Sequence, residues 1–411
     1  LTTHEQQERL RRFAGWLDRY GELSRDHQTF FAAPWTGALK RLYYQRPLAG
    51  TLAVAPLIAF EAFAPGMRRW FWKPQRFPIA DAHYAMGFSY WYQVEGDARL
   101  LQRAHHFLEV LLATRSPGYR RYGWGYPFDW VTRLGVIPAG TPLITTLPYV
   151  YEAFDAVYRI DGDGRWRDVM RSIAEHALRD YQDHEAGEDS ASCSYTPDPA
   201  DPGGVVNASA YRAFLLTAAG QEFRDSGCAS AAARNLRYVL NAQNPDGSWP
   251  YATDGVRHFV DHFHTCFVLK ALAKIERLAP SAEVREAIRR GVGYYCRHLF
   301  DENGWPKPFA KRPRLTVYKT ELYDIAEFIN LAVLLGREHP ELQARLSRIL
   351  PLDGWQKPDG SFRSRRLLIG WDNVPMHRWA QSQLFRSLCL VLLQEKVSEM
   401  QPVSLGSEGA S

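Results

Sequence analysis

The chain has 411 residues, 46% of them apolar, and no low-complexity linker, which excludes a disordered or fibrous protein and allows one large globular domain. A net charge of +5, with no long basic run interleaved with aromatics, argues against nucleic acid and leaves a mildly anionic partner. Five scattered cysteines without a Cys-x-x-Cys spacing read as reduced thiols, and Leu1 to Leu23 lacks a signal-peptide pattern, so a cytoplasmic protein is expected.

In chain order, residues 3–19 are predicted as an amphipathic helix. Leu48 to Met67 is apolar apart from Glu61 and is interrupted by Pro56 and Pro65. Arg41 and Arg46 precede it, and Arg68, Arg69, Lys73 and Arg76 follow with Trp70 and Trp72. Such flanks suit a peripheral contact with the inner face of a membrane through 48–67, while Glu61 and the prolines argue against a span. A buried helix packed on the outside of the fold is the alternative.

From there, helical patterns come in pairs. Segments apolar nearly all round are expected near 80–94, 143–159, 207–219, 260–278, 321–337 and 376–395, starting roughly 53 to 64 residues apart, a spacing that points to repeats. Amphipathic partners are expected near 97–114, 163–183, 226–243, 281–299 and 340–350, and 3–19 supplies a sixth. The pattern predicts an all-α fold, an (α/α)6 toroid of helical hairpins joined by short aromatic Gly/Pro-rich connections. Residues 1–78 would form N-terminal helices, 79–396 the toroid and 397–411 a flexible tail.

Four connections read GYRRYGWGYPFDW from Gly118, NPDGSWPY from Asn244, ENGWPKPF from Glu302 and KPDGSF from Lys357. Two of them, with Gln243 and Gln356, spell Q-x-P-D-G-S followed by an aromatic, Trp249 or Phe362. This resembles the repeat of the squalene cyclase and prenyltransferase superfamily, and the resemblance implies a toroid in which each Gln caps an outer helix and the aromatic stacks against it. The spacing of Asp261 and Cys266 departs from the zinc ligands of that superfamily, so no metal is expected. The predicted toroid also resembles the scaffold of polysaccharide lyases, unsaturated-uronide hydrolases and glucuronyl C5-epimerases.

In such a ring the inner-helix starts open onto one end, which gathers polar residues from distant segments. Asp261 and His264 lie three apart, the spacing of a carboxylate-oriented imidazole acting as general acid or base, or of an N-cap and a core histidine. Tyr149 and Tyr211 are candidate proton carriers. Glu321 and Asp324 share a helical turn, with Lys319 just before, as a carboxylate pair for sugar chemistry or as helix caps. Arg378 with His377 is a candidate carboxylate clamp, or Arg378 pairs with Asp372. Asp81 and Gln381 complete the expected lining, and Asp129 and Arg133 either reach the mouth or bridge each other. No phosphate loop, nucleophile elbow or dinucleotide fingerprint is present, and no cofactor is expected.

The reading that follows is a carbohydrate-active enzyme of glycan biosynthesis, acting by proton abstraction on a uronate-containing, lipid-linked polysaccharide, of C5-epimerase or lyase type. The alternatives are a terpenoid cyclase, against which stands the lack of a D-x-D-D acid, and a non-catalytic glycan-binding toroid.

Overall fold

A computed structural model describes residues 2–310 and 316–400. The chain begins with α1 (Thr3–Tyr20) and makes an excursion through α2 (Thr29–Ala32), α3 (Pro34–Gln45), α4 (Pro47–Phe63) and a 3-10 turn at Pro65–Trp70. Then come α5 (Pro78–Glu95) with α6 (Ala98–Ala113), α7 (Leu147–Asp161) with α8 (Gly164–Arg179), and α9 (Val206–Phe223) with α10 (Ser226–Asn241). The ring continues through α11 (His262–Leu278) with α12 (Ala282–His298), α13 (Leu322–Leu335) with α14 (Pro340–Ile349), and α15 (Ser382–Met400).

The odd-numbered helices from α5 to α15 form the inner wall. Every residue from Val206 to Leu216 of α9 and from Leu322 to Val333 of α13 is buried, which requires neighbours on every side. The outer helices bury one stripe; in α8 it is Trp166, Val169, Met170, Ile173 and Ala177. Inner-to-outer turns are tight for a local reason. Gly96 and Gly162 take the left-handed conformation that ends a helix, and the next residue, Asp97 or Asp163, caps the following helix through the backbone N–H of Arg99 or Arg165, each at 2.9 Å.

The ring closes where α15 meets α5: a Cβ on Gly87 would lie 2.6 Å from the Phe385 ring, so only glycine permits this approach. α1 is the sixth outer helix. Gln356 Nε2 donates to Gly360 O and to Arg9 O of α1, as Gln243 Nε2 donates to Gly247 O and to Ala287 O of α12. The repeated glutamine therefore ties each connection to the next outer helix instead of capping its own. The tryptophan serves the helix end: Trp249 Nε1 donates to Val239 O at 2.9 Å, and Trp124 Nε1 does the same to Leu111 O at 2.8 Å.

The outer-to-inner connections from α6 onward are long and lie at the mouth end, and all but the one between α10 and α11 carry strands: β1 (Trp130–Thr132) with β2 (Gly135–Ile137), β3 (Asp183–Glu185) with β4 (Ala191–Cys193), and β5 (Tyr318–Glu321), β6 (Arg365–Leu367) and β7 (Trp371–Asp372). Several starts differ from expectation. α7 begins at Leu147, where Pro148 sets the first turn, and α11 follows the Asp261 cap. The last inner helix is preceded by a π-type turn at His377–Gln381, where Trp379 is non-helical. Helix α15 reaches Met400, so the tail expected from 397 is helical in its first residues, and 401–411 lie outside the described residues.

The excursion is pinned at its ends by the backbone pair Ser24–Gln75. It packs across the mouth side: Asp26 pairs with Arg378, His27 lies on Trp379, and Glu61 and Arg68 enter a buried ion network with Arg365, Glu321 and Asp372. Helix α4 runs through Pro56 without a break; Pro56 is exposed, so the carbonyl it leaves unpaired can be hydrated. Among the described residues no helix is long and apolar enough to cross a membrane.

Candidate active site

The site is built from the mouth inwards. At the start of α11, Asp261 combines both roles expected of it: Oδ1 accepts the His264 backbone N–H at 3.0 Å, and Oδ2 pairs with His264 Nδ1 at 2.6 Å. The carboxylate engages Nδ1 as a hydrogen-bond donor and leaves Nε2 as the ring nitrogen turned away from Asp261. His264 keeps 21% of its side chain exposed whereas Asp261 keeps 2%. Around it stand Tyr251 at 4.6 Å, Phe263 at 4.3 Å and Phe267 at 5.6 Å between ring centroids. The collar continues through Tyr323 stacked on Trp379 at 4.5 Å, both against Phe263. His262 points elsewhere, to Leu299 O and the Tyr295 hydroxyl, and is a core histidine whose burial pushes it down to about 3.

His264, Phe267 and Lys270 follow at three-residue steps along α11, which places Lys270 about 9 Å deeper. There a buried polar floor crosses the ring axis, with one side chain from each inner helix: His83, Tyr149, Tyr211, Lys270, Glu327 and Arg386. Tyr149 and Tyr211 hydroxyls meet at 2.5 Å, Lys270 Nζ donates to Tyr149 OH at 3.2 Å and is ion-paired with Glu327, and the Arg386 guanidinium lies 5.2 Å from the Tyr149 ring centroid. His83 stands edge-on to Tyr149 at 4.6 Å, with neither ring nitrogen bonded. Below it Lys274 pairs with Glu152.

Electrostatics give this floor a net positive charge. Burial opposes the Lys270 cation, but Glu327 more than restores it and the pKa moves up. Arg386 stays charged, and its Nε has no hydrogen-bond partner. Burial raises both tyrosines, so they are neutral phenols, and holds His83 neutral with help from the Arg386 and Lys270 charges. Two cations therefore face one carboxylate in a desolvated layer, which favours an incoming anion.

The expected residues divide sharply. His264 lies with Asp261, and Tyr149 with Tyr211, and Phe267 touches both His264 and Tyr211. Asp324 is close enough to Asp261 and Glu321 for their charges to bear on it, and neither of its oxygens has a partner; burial raises its carboxyl well above the usual range. Glu321 is committed to Arg365. Arg378 is not a free clamp, nor does it pair with Asp372: its guanidinium bonds Asp26 at 2.7 Å and lies against Tyr126 and Trp379, while Asp372 is taken by Arg68.

His377 bonds the Tyr84 hydroxyl and Gly21 O, and Gln381 bonds both backbone groups of Phe362, so both are structural. Asp81 pairs with Arg76 at the rim, though burial still pushes it up to about 7. Asp129 accepts from Ala139 N and steadies the β1–β2 hairpin, at whose exposed turn Arg133 sits, and Lys319 is exposed on β5. Sequence reasoning missed Lys270, Glu327 and Arg386 because it searched only the helix starts. Their signal is a lone charge inside an otherwise apolar run: FVLKAL, IAEFIN and LFRSL.

The chain is similar to cellobiose 2-epimerase from Spirochaeta thermophila DSM 6192, with a TM-score of 0.61 at 13% identity over 86% of this chain and 98% of that one. The fold is an α/α toroid. An unsaturated glucuronyl hydrolase specific for heparin matches with a TM-score of 0.57 at 11% identity, over 79% of this chain and 88% of that one. A polysaccharide lyase matches with a TM-score of 0.53 at 10% identity, over 84% and 97%. At these identities the likeness establishes the fold alone, and it supports the toroid expected from the Q-x-P-D-G-S repeats but not their link to squalene cyclases. No protein-family model matches the sequence, and neither does any curated protein.

Proposed function

We propose that this toroid is a carbohydrate-active enzyme that moves a proton beside the carboxylate of a uronate-containing glycan, as a C5-epimerase or a lyase. The observation that carries the reading is the floor: six side chains, one per inner helix, with two cations to one carboxylate, lying beneath an aspartate-oriented histidine. The toroids it resembles, a sugar epimerase, a uronide hydrolase and a polysaccharide lyase, are consistent with sugar chemistry.

The uronate carboxylate would seat against Lys270 and Arg386, which neutralise it and stabilise the enolate that forms when C5 loses its proton. His264 Nε2 takes that proton from the mouth side. In an epimerase the Tyr211 or Tyr149 phenol returns a proton from the floor side, inverting C5, and the tyrosinate left behind faces Lys270 until proton exchange resets it. In a lyase the same enolate instead expels the C4 substituent. Aromatic side chains in the collar offer stacking faces for neighbouring sugars. The charged floor counts against a terpenoid cyclase, which needs an apolar wall. We read the glycan as lipid-linked because the apolar excursion stands at the same end of the ring as the mouth.

The test is incubation with uronate-containing glycans in deuterated water. Deuterium at C5 without cleavage identifies the epimerase, and a new ultraviolet chromophore identifies the lyase. Turnover of a neutral sugar with no exchange on any uronate would refute the proposal. Tight glycan binding without turnover, lost in Arg386→Ala, would mark a binding toroid instead.

A further inference from the structure

Helix α4 is inside out. Its one charged residue, Glu61, is buried against Arg68 and Arg365, whereas Leu48 is 88% exposed, Leu52 78% and Phe63 68%. Residues 48, 52, 55, 59 and 63 fall on one face of the helix, all apolar, and Gly50, Val54, Leu57 and Glu61 take the buried face. An ordinary surface helix has the opposite arrangement, because exposed leucine and phenylalanine gain nothing from water. Beyond α4, Trp70 is 70% exposed and Trp35 58%.

Charge around this face is equally one-sided. Between residues 34 and 76 lie seven of the chain's 50 basic residues and only one of its 45 acidic ones, the buried Glu61, so the rest of the molecule is close to neutral. Arg41, Arg46, Arg69 and Lys73 are exposed, and the Arg69 guanidinium lies 5.1 Å from the Trp70 ring centroid. A protein partner could cover the leucines, but the positive rim, unmatched by any exposed acid in the segment, selects an anionic surface.

We propose that α4 and the 3-10 turn after it dock this protein onto an anionic lipid leaflet, with Leu48, Leu52 and Phe63 among the acyl chains, Trp70 at the interface and the arginines on lipid phosphates. The helix lies in the leaflet plane without crossing it. Docking is independent of the sugar reading; its consequence, that the mouth is held beside a glycan attached to lipid, rests on it. The ion pairs from Glu61 and Arg68 to Arg365 and Asp372 tie this docking segment to the β6–β7 connection at the mouth.

The experiment is co-sedimentation of the full chain with vesicles of phosphatidylcholine alone and with vesicles that also contain phosphatidylglycerol. Binding is expected only with phosphatidylglycerol and should weaken with salt. It should fall ~tenfold or more in Leu52→Ser/Phe63→Ser and in Arg69→Glu/Lys73→Glu. All four side chains are exposed, so circular dichroism and melting should be unchanged and the loss readable as surface chemistry. Equal binding by Leu52→Ser/Phe63→Ser, or no binding by the parent chain to either vesicle, would overturn the proposal. So would a concentration-dependent dimer that does not bind vesicles and is dissolved by Leu52→Ser, which would assign the face to a second copy. Turnover of a soluble uronate oligosaccharide separates the two readings: it persists if only docking fails, and is absent if the sugar assignment fails.

Discussion

Two buried charge clusters of this protein differ in how completely their charges are paired. In the cluster that anchors the excursion, Arg68 pairs with Glu61 and Asp372, Arg365 with Glu61 and Glu321, and Arg378 with Asp26. Every guanidinium has a carboxylate. On the floor of the ring, among the described residues, Lys270 takes the carboxylate of that layer, Glu327, while Arg386 has no ion-pair partner and neither His83 nitrogen is hydrogen-bonded. Burial of unpaired polar groups costs free energy unless something else is gained. The first cluster is a fastener; the second keeps open valences, as the proposed receptor for a carboxylate would need.

Mutation should act differently on the two clusters. In the fastener, Arg365→Ala strands Glu321 in a buried site and leaves Glu61 with Arg68 alone, and we expect a loss of about 3–5 kcal/mol of stability, measured by denaturant unfolding. An unchanged midpoint would mean that the cluster is solvated. On the floor the same kind of change should act on chemistry. Arg386→Gln should lower kcat/KM on a uronate substrate by roughly 10²–10³, about 2.7–4 kcal/mol of transition-state stabilisation, with stability kept or slightly raised because a lone buried cation has been removed. If Arg386→Gln instead unfolds the protein and leaves turnover of the folded fraction intact, the two clusters are of one kind.

The ring itself was legible because enclosure leaves a mark on sequence: apolar runs at a steady spacing, with amphipathic partners between them. Asp261 with His264 was legible for a related reason, since cap and ligand share a three-residue spacing. Arg378 and Glu321 were misplaced as free groups because their partners, Asp26 and Arg365, are distant in sequence, and local spacing says nothing of such pairs. Arg386, Lys270 and Glu327 were passed over because each lies a turn or more inside its helix. For α4 the sequence leaves a membrane-facing segment and a buried helix side by side, because hydrophobicity alone does not say which apolar face is exposed, and only Glu61 hints at which face turns inward.

The smallest expected effect tests the link between the clusters. Asp324 lies on α13 between them, bearing on Glu321 towards the fastener and Asp261 towards the histidine, with both oxygens unpaired. Burial raises its carboxyl well above the usual range, and the neighbouring charges of Glu321 and Asp261 raise it further, against the pull of Arg365. Folded Asp324 is therefore protonated where unfolded Asp324, with a pKa of about 3.9, is ionised. Between those two pKa values the folded state holds the extra proton, so this residue's contribution to stability falls as pH rises above about 4. Asp324→Asn keeps the shape and has no proton to take up. Its stability relative to the parent should grow from near zero at about pH 4 to about 1 kcal/mol or more at pH 8, at no more than about 1.4 kcal/mol per pH unit. A pH-independent difference would mean that Asp324 is ionised and carries a third negative charge beside Asp261. A neutral Asp324 adds no charge beside the Asp261 carboxyl that orients His264, and the proton it holds is what lets the fastener and the proposed active site stand this close.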